Sequence, residues 1–273
     1  MFRTSPTPKP KTRSSIRKYW GKKYFVMKRW WKWQKEKKDF SKTQKSISLN
    51  HLVFKHESTL LRKLKNVDMW LQHNKITNLQ LAIDRLDGIV IQPNETFSFW
   101  HLVGNPTKKR GFKTGMVLEN GKVKEGTGGG LCQLGNLLFW MTLHSPLTIS
   151  ERWRHSFDVF PDVNRKIPFG CGATLSYNYI DFQLKNETQQ AFQFKLWLSD
   201  TKLHGKLLSE FEPTCSYEVY EAEHRMQQEV WGGYTRHNII YRKVLEKEHH
   251  TLISDEPIVE NHAIMMYSPL LEN

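Results

Sequence analysis

The chain has 273 residues, 38% hydrophobic and 12% aromatic, enough apolar material for one large packed domain or two small ones. Its formal net charge of +14 is confined to residues 1–50, which hold 16 Lys and Arg against Glu36 and Asp39; the remainder is formally neutral. A folded portion without net basic charge argues against a nucleic-acid enzyme, so nucleic acid is not the expected partner.

Residues 1–14 carry three prolines among scattered charge and read as disordered. The most apolar stretch nearby, Tyr24–Met27, meets Lys28-Arg29 after four residues, too short for a secretory leader. No run of about 18 apolar residues occurs, so no transmembrane helix is expected and the chain reads as cytoplasmic. Across residues 15–40, Ile16, Trp20, Met27, Trp30 and Trp31 recur at helical spacing among Lys and Arg, joined by Tyr19, Tyr24, Phe25 and Trp33. Two readings stand. One is a membrane-associated arm whose amphipathic helix binds an anionic surface at the inner face through Trp20, Trp30, Trp31 and Trp33. The other is aromatic packing on the folded domain beneath solvated lysines.

Residues 51–90 read as helical. Leu52, Leu60, Leu61, Leu64, Met69, Trp70 and Leu71 mark one segment, and Leu79, Leu81, Ala82, Ile83, Leu86 and Ile89 a second, with Thr77 or Asn78 as cap and an end before Pro93. Pro93-Asn94 is a turn opening a strand over Thr96–Phe99. Asn120-Gly121, between Met116-Val117-Leu118 and Val123, predicts a two-residue hairpin turn because both positions tolerate positive φ. Apolar residues at spacings of three and four predict a helix from about Leu131 to Leu143, stopped by Pro146. From about Ile149 the pattern turns to β: Thr174–Tyr177, Ile180–Leu184, the alternating Ala191–Leu198, Ser216–Glu221, Val230-Trp231 and Asn238–Val244, with Gly232-Gly233 as a turn. The fold class is therefore α+β: N-terminal helices, a central glycine-rich loop leading into a helix, and a C-terminal antiparallel sheet. The expected organisation is a basic, partly disordered arm over 1–50, a core over 51–200, and a β-rich extension over 201–273 packed on that core.

The chemistry concentrates at Gly128-Gly129-Gly130, which delivers Cys132 to the start of the predicted helix. Successive glycines free the backbone and bare peptide N–H groups that can bind a carboxylate or an oxyanion. A thiol in the first helical turn is expected to have a lowered pKa, and Gln133 beside it can donate to an oxyanion. In the downstream segment Glu151-Arg152-Trp153-Arg154-His155-Ser156, an extended backbone puts Glu151, Trp153 and His155 on one face. His155 is the candidate base for Cys132, with Glu151 or Asp158 to orient it. The plain alternatives are an inert packing cysteine and a tight glycine connection. Cys132, Cys171 and Cys215 show no metal-ligand spacing and their odd number fits a reducing compartment; Cys171 and Cys215 read as structural. No metal or cofactor is called for, and no Lys-Ser or Lys-Thr follows the glycines as a phosphate loop requires. The sequons at Asn94 and Asn186 read as chance matches.

The strings Pro93-Asn94-Glu95-Thr96-Phe97-Ser98-Phe99, Val103-Gly104, Asn120-Gly121-Lys122, Gly128-Gly129-Gly130-Leu131-Cys132-Gln133, and Glu151-Arg152 with His155 closely resemble the VanW family. The resemblance is specific between about residues 76 and 190, and Asn136–Trp140 together with the missing leader resembles its short, leaderless type. Many relatives have Asp where this chain has Gly172; if that acid orients the histidine, Asp158 or Asp181 must replace it or the site is altered. The resemblance implies a bacterial role in peptidoglycan metabolism and glycopeptide resistance, and by extension L,D-transpeptidase-like acyl transfer through a cysteine. Two functions follow as expectations. The first is acyl transfer on a peptidoglycan precursor or stem peptide, with Cys132 as nucleophile, His155 as base and the Gly130–Gln133 backbone as oxyanion donor. The second is non-catalytic binding of a cell-wall precursor at the inner membrane face by the same loop.

Overall fold

The computed structural model describes residues 13–61, 68–161 and 167–269; most of the segment expected to be disordered, and Leu64, lie outside them. The first helix, α1 (Ser15–Lys35), starts where the Ser14 hydroxyl accepts the Arg17 amide, a side-chain cap for an otherwise orphaned donor. It docks along one face only. Phe25, Arg29 and Trp33, four residues apart, face the domain: Trp33 is buried in the core, Arg29 pairs with Glu151, and the still half-exposed Phe25 stacks on Tyr179. Ile16, Tyr19, Trp20, Tyr24, Met27, Trp30 and Trp31 stay exposed. The reading of a membrane-associated arm is corrected here. Among the described residues no helix is long and apolar enough to cross a membrane, and α1 is seated on the domain.

Residues 51–59, expected to be helical, form strand β1 (His51–Thr59). Its alternating burial suits a half-covered strand, but the deciding fact is a partner about 150 residues downstream. The second helix, α2 (Met69–Leu86), is a single element with Asp68 at its N-cap, so Thr77 and Asn78 lie mid-helix rather than at a cap. The chain continues through β2 (Val90–Ile91), the Asn94 turn with φ 68°, and β3 (Thr96–Ser98). Phe99, read as the strand's end, instead begins α3 (Phe99–Val103), because Ser98 caps that helix through the His101 amide.

The hairpin β4 (Thr114–Glu119) and β5 (Lys122–Thr127) turns at Asn120-Gly121, where φ is 52° and 75°, as the sequence predicts. It delivers the glycine run to α4 (Cys132–Leu143). After β6 (Thr148–Glu151) and β7 (Phe157–Asp158), the expected strand Thr174–Tyr177 is irregular, with one bridge from Ser176 to Ile180. Then come β8 (Gln183–Lys185), β9 (Phe192–Leu198), β10 (Lys202–Ser209), β11 (Cys215–Gln228), β12 (Tyr234–Glu246) and β13 (Leu252–Met265). Val230-Trp231, read as a strand, belongs to the turn between β11 and β12, where Gly232 takes φ 88°.

One sheet has the order β1-β10-β9-β2 and a second the order β11-β12-β13-β7; β3-β8-β6 and the β4-β5 hairpin complete the set. The core lies between the first sheet and the two helices that cover it. Leu79, Ala82, Ile83 and Leu86 of α2 and Leu134, Leu137, Leu138 and Met141 of α4 pack with Phe192, Phe194, Leu203 and Leu207. Burying each such side chain contributes roughly 1.5–3 kcal/mol. Gly205 lets α4 approach β10, since a Cβ there would lie 2.7 Å from Met141 Cε. Gln193 breaks the expected alternation of β9: it is buried, and its amide joins Lys45, Ile47, Leu49 and Gly88 to the sheet. The C-terminal antiparallel sheet confirms the α+β class.

Candidate functional site

The glycine run works as a connection of very close approach. Gly128 and Gly130 take φ 76° and 92°, a region that L side chains rarely enter. A Cβ on Gly129 would lie 2.2 Å from the Gly115 carbonyl carbon, and one on Gly130 would lie 2.2 Å from Lys75 Cγ. Beneath the loop, Asn78 donates to the carbonyls of Gly129 (2.9 Å) and Lys113 (3.0 Å) and accepts the Lys113 amide (2.8 Å). Lys75, also buried, donates to the Leu60 carbonyl and to Gln72 Oε1. The amides of Gly128 and Gly129 already donate to Lys113 and Gly126, so the expected row of bare glycine N–H groups is reduced. Among the described residues, the amides of Gly130, Leu131 and Cys132 meet no backbone acceptor. A shallow cleft of about 490 Å³, lined by Asp68, Leu71, Val123, Lys124 and Glu125, runs along the strand that delivers the loop.

Cys132 opens α4, and its Sγ sits 4.0 Å from the Leu175 carbonyl. Burial pushes this thiol above its ordinary range, more than its hydrogen bonds to backbone pull it down. That is opposite to the direction expected from the helix terminus alone. Gln133 does not face the thiol as an oxyanion donor. Its amide donates to Ser58 Oγ and the Thr59 carbonyl, both at 2.9 Å. The segment after Gly172 presses on the first turns of α4. The Ala173 amide donates to Asn136 Oδ1 (2.8 Å), and a Cβ on Gly135 would lie 2.9 Å from Leu175 Cδ1. A Cβ on Gly172 would meet Asn136 Oδ1 at 2.7 Å, so an amide oxygen occupies the space beside this position.

His155 is half-buried, and desolvation followed by the Arg154 charge lowers its pKa. Among the described residues it makes no hydrogen bond to Cys132, Glu151 or Asp158. Glu151 instead takes a bidentate pair from Arg29 (2.6 and 2.7 Å), the Trp153 indole N–H (2.9 Å) and the Asp181 amide (3.3 Å). Asp158 is buried against the Tyr267 hydroxyl (2.9 Å) and Arg236 (3.5 Å). Asp181, the other substitute acid, is fully buried and pushed up to about 6 by desolvation. Its oxygens accept from Ser98, Gln183 and the amides of Trp100 and Phe182. The structure thus gathers Cys132, Gly130, Lys75, Asn136 and Leu175, while Glu151 and Asp158 serve other partners. Lys75 escaped the sequence reading, which places Asn78 only as a possible cap and Asn136 only within a family string. The only trace of Lys75 there is polarity on an otherwise apolar helix face.

The family model described as VanW like protein matches residues 74–208, which span the glycine loop, α4 and the first sheet's inner strands. The chain is 36% identical to the Vancomycin B-type resistance protein VanW of Enterococcus faecalis over 195 residues, 71% of each chain. It is 35% identical to the uncharacterized protein YoaR of Bacillus subtilis over 113 residues, 41% of this chain and 36% of that protein. No solved structure matches. The likeness to the resistance protein extends over more than two thirds of the chain at an identity that fixes kinship, and the chain belongs to the VanW family.

Proposed function

We propose that this VanW-family protein acts on peptidoglycan-type peptides in glycopeptide resistance, with Cys132 as acyl acceptor. The observation that carries the reading is the thiol at the first turn of a twelve-residue helix, beside amides of Gly130, Leu131 and Cys132 that meet no backbone acceptor among the described residues. In the proposed step the thiolate attacks a peptide carbonyl, and the amides receive the developing oxyanion. The amide C–N bond breaks, the amine leaves with a proton, and a thioester remains on Cys132. A second stem peptide's amine then displaces the thiol, restoring it and forming the new amide. Each half needs a proton acceptor near the sulfur. His155 is assigned that role, through an arrangement tighter than the resting one. Three free cysteines support a reducing compartment, so the peptide would be met as a cytoplasmic precursor.

A second reading rests on a specific observation. Burial raises the Cys132 thiol's pKa, and among the described residues no base is hydrogen-bonded to it, which favours the neutral thiol. A protein that only holds a precursor carboxylate on the same amides fits that state. Intact-mass measurement after incubation with peptidoglycan stem peptides separates the two. Acyl transfer predicts an adduct that maps to Cys132 and vanishes in Cys132→Ser. Binding without any adduct, retained in Cys132→Ser, decides for the holding protein.

A further inference from the structure

We propose that α1 is a latch that holds the segment Leu175–Ile180 over the Cys132 thiol. This rests on the reading of Cys132 as the reactive group. The segment lies between two helices. On one side it presses on α4: the Leu175 carbonyl is 4.0 Å from Cys132 Sγ, and the Leu175 side chain fills the space that Gly135 leaves open. On the other side it carries α1. Phe25 stacks on Tyr179 with ring centres 6.4 Å apart, Arg29 donates to the Tyr179 carbonyl, and Trp33 lies 6.5 Å from Tyr177. These three residues recur every four positions, so one face of α1 is committed to this segment.

The fastener is the Arg29–Glu151 pair. It is bidentate, and its side chains keep only 11% and 16% of their exposure. It joins residues 122 positions apart and anchors the helix to the end of β6. The same segment keeps the thiol half-buried despite its place at a helix start. Lifting α1 removes the outer support of Tyr177 and Tyr179, and local opening of the segment then exposes Sγ to water and to a peptide. The basic helix is therefore a part of the site, not an appendage separate from it.

Alkylation of the full-length protein by iodoacetamide under native conditions, followed by peptide mass at each cysteine, tests this. Arg29→Ala and Phe25→Ala are expected to speed labelling of Cys132 by about tenfold or more, as local opening becomes cheaper, while buried Cys171 keeps its slow rate. The charge exchange Arg29→Glu with Glu151→Arg is expected to restore slow labelling. An unchanged Cys132 rate in folded variants overturns the latch. So does parallel acceleration of Cys132 and Cys171, because α1 then supports the whole fold and not this segment. A reversed pair that stays fast removes the ion pair as fastener. Labelling reads access alone; whether stem peptides leave a mass on the opened variants tests acyl transfer separately.

Discussion

Asp181 carries a fully buried carboxyl whose pKa is raised to about 6 from 3.8. Such a group contributes stability that is complete below its unfolded pKa and is lost as pH rises through its folded value. The shift corresponds to a loss on the order of 3 kcal/mol between about pH 4 and pH 7. His144 acts in the opposite sense. Burial lowers it to about 4, so its contribution is present above 6.5 and lost as pH falls. The effect of Asp181 must therefore be measured as a difference between variant and parent. In Asp181→Asn the amide oxygen still accepts the Trp100 and Phe182 amides, and Gln183 can turn its own amide to match. Urea midpoints are expected to show the variant gaining on the parent as pH rises from 4 to 7. A constant difference across that range would mean that Asp181 does not titrate there.

Among the elements, the β4–β5 hairpin and the loop behind it are most constrained by close backbone approach. Gly129 faces Gly115 so tightly that a methyl group would overlap backbone, not a mobile side-chain end. Gly129→Ala is expected to cost about 3 kcal/mol, the upper part of the range for overpacking, read as a lower urea midpoint at unchanged slope. A cost within about 0.5 kcal/mol, typical of unconstrained surface sites, would show that the glycine loop moves easily away from β4. The hairpin itself was legible in the sequence, because Asn-Gly supplies positive φ at both turn positions. The loop's role was only half legible. Three glycines announce close approach, but not that their nearest neighbours are Pro106, Gly115 and Lys75.

At the scale of the whole molecule, the first sheet joins strands about 150 residues apart in the chain. β10 lies between β1 and β9, paired to each over seven residues or more, and its buried Leu203 and Leu207 belong to the core. A chain ended at Asp200 loses that inner strand and leaves β1 without a partner. It is expected to remain unfolded by circular dichroism, and a chain ended near Gln228 is expected to regain the sheet but not the support of β12 and β13. A cooperative thermal transition in the protein ended at Asp200 would place the minimal folding unit upstream of β10.

The sequence by itself determined the local and the patterned: the α+β class, the Asn94 and Asn120-Gly121 turns, the helix that opens at Cys132, the strand β9, and the family. Each is encoded by neighbours within a few residues, through φ preference or periodicity. Tertiary structure decided the rest. Residues 51–59 became a strand because β10 offered hydrogen bonds that no local propensity records. Glu151 joined Arg29 and not His155, because α1 folds back across the chain to reach it. The Cys132 thiol is held above its ordinary range and not below it, because packing takes it partly out of water. Desolvation and distant pairing depend on which surfaces meet, and that is settled only when the whole chain packs.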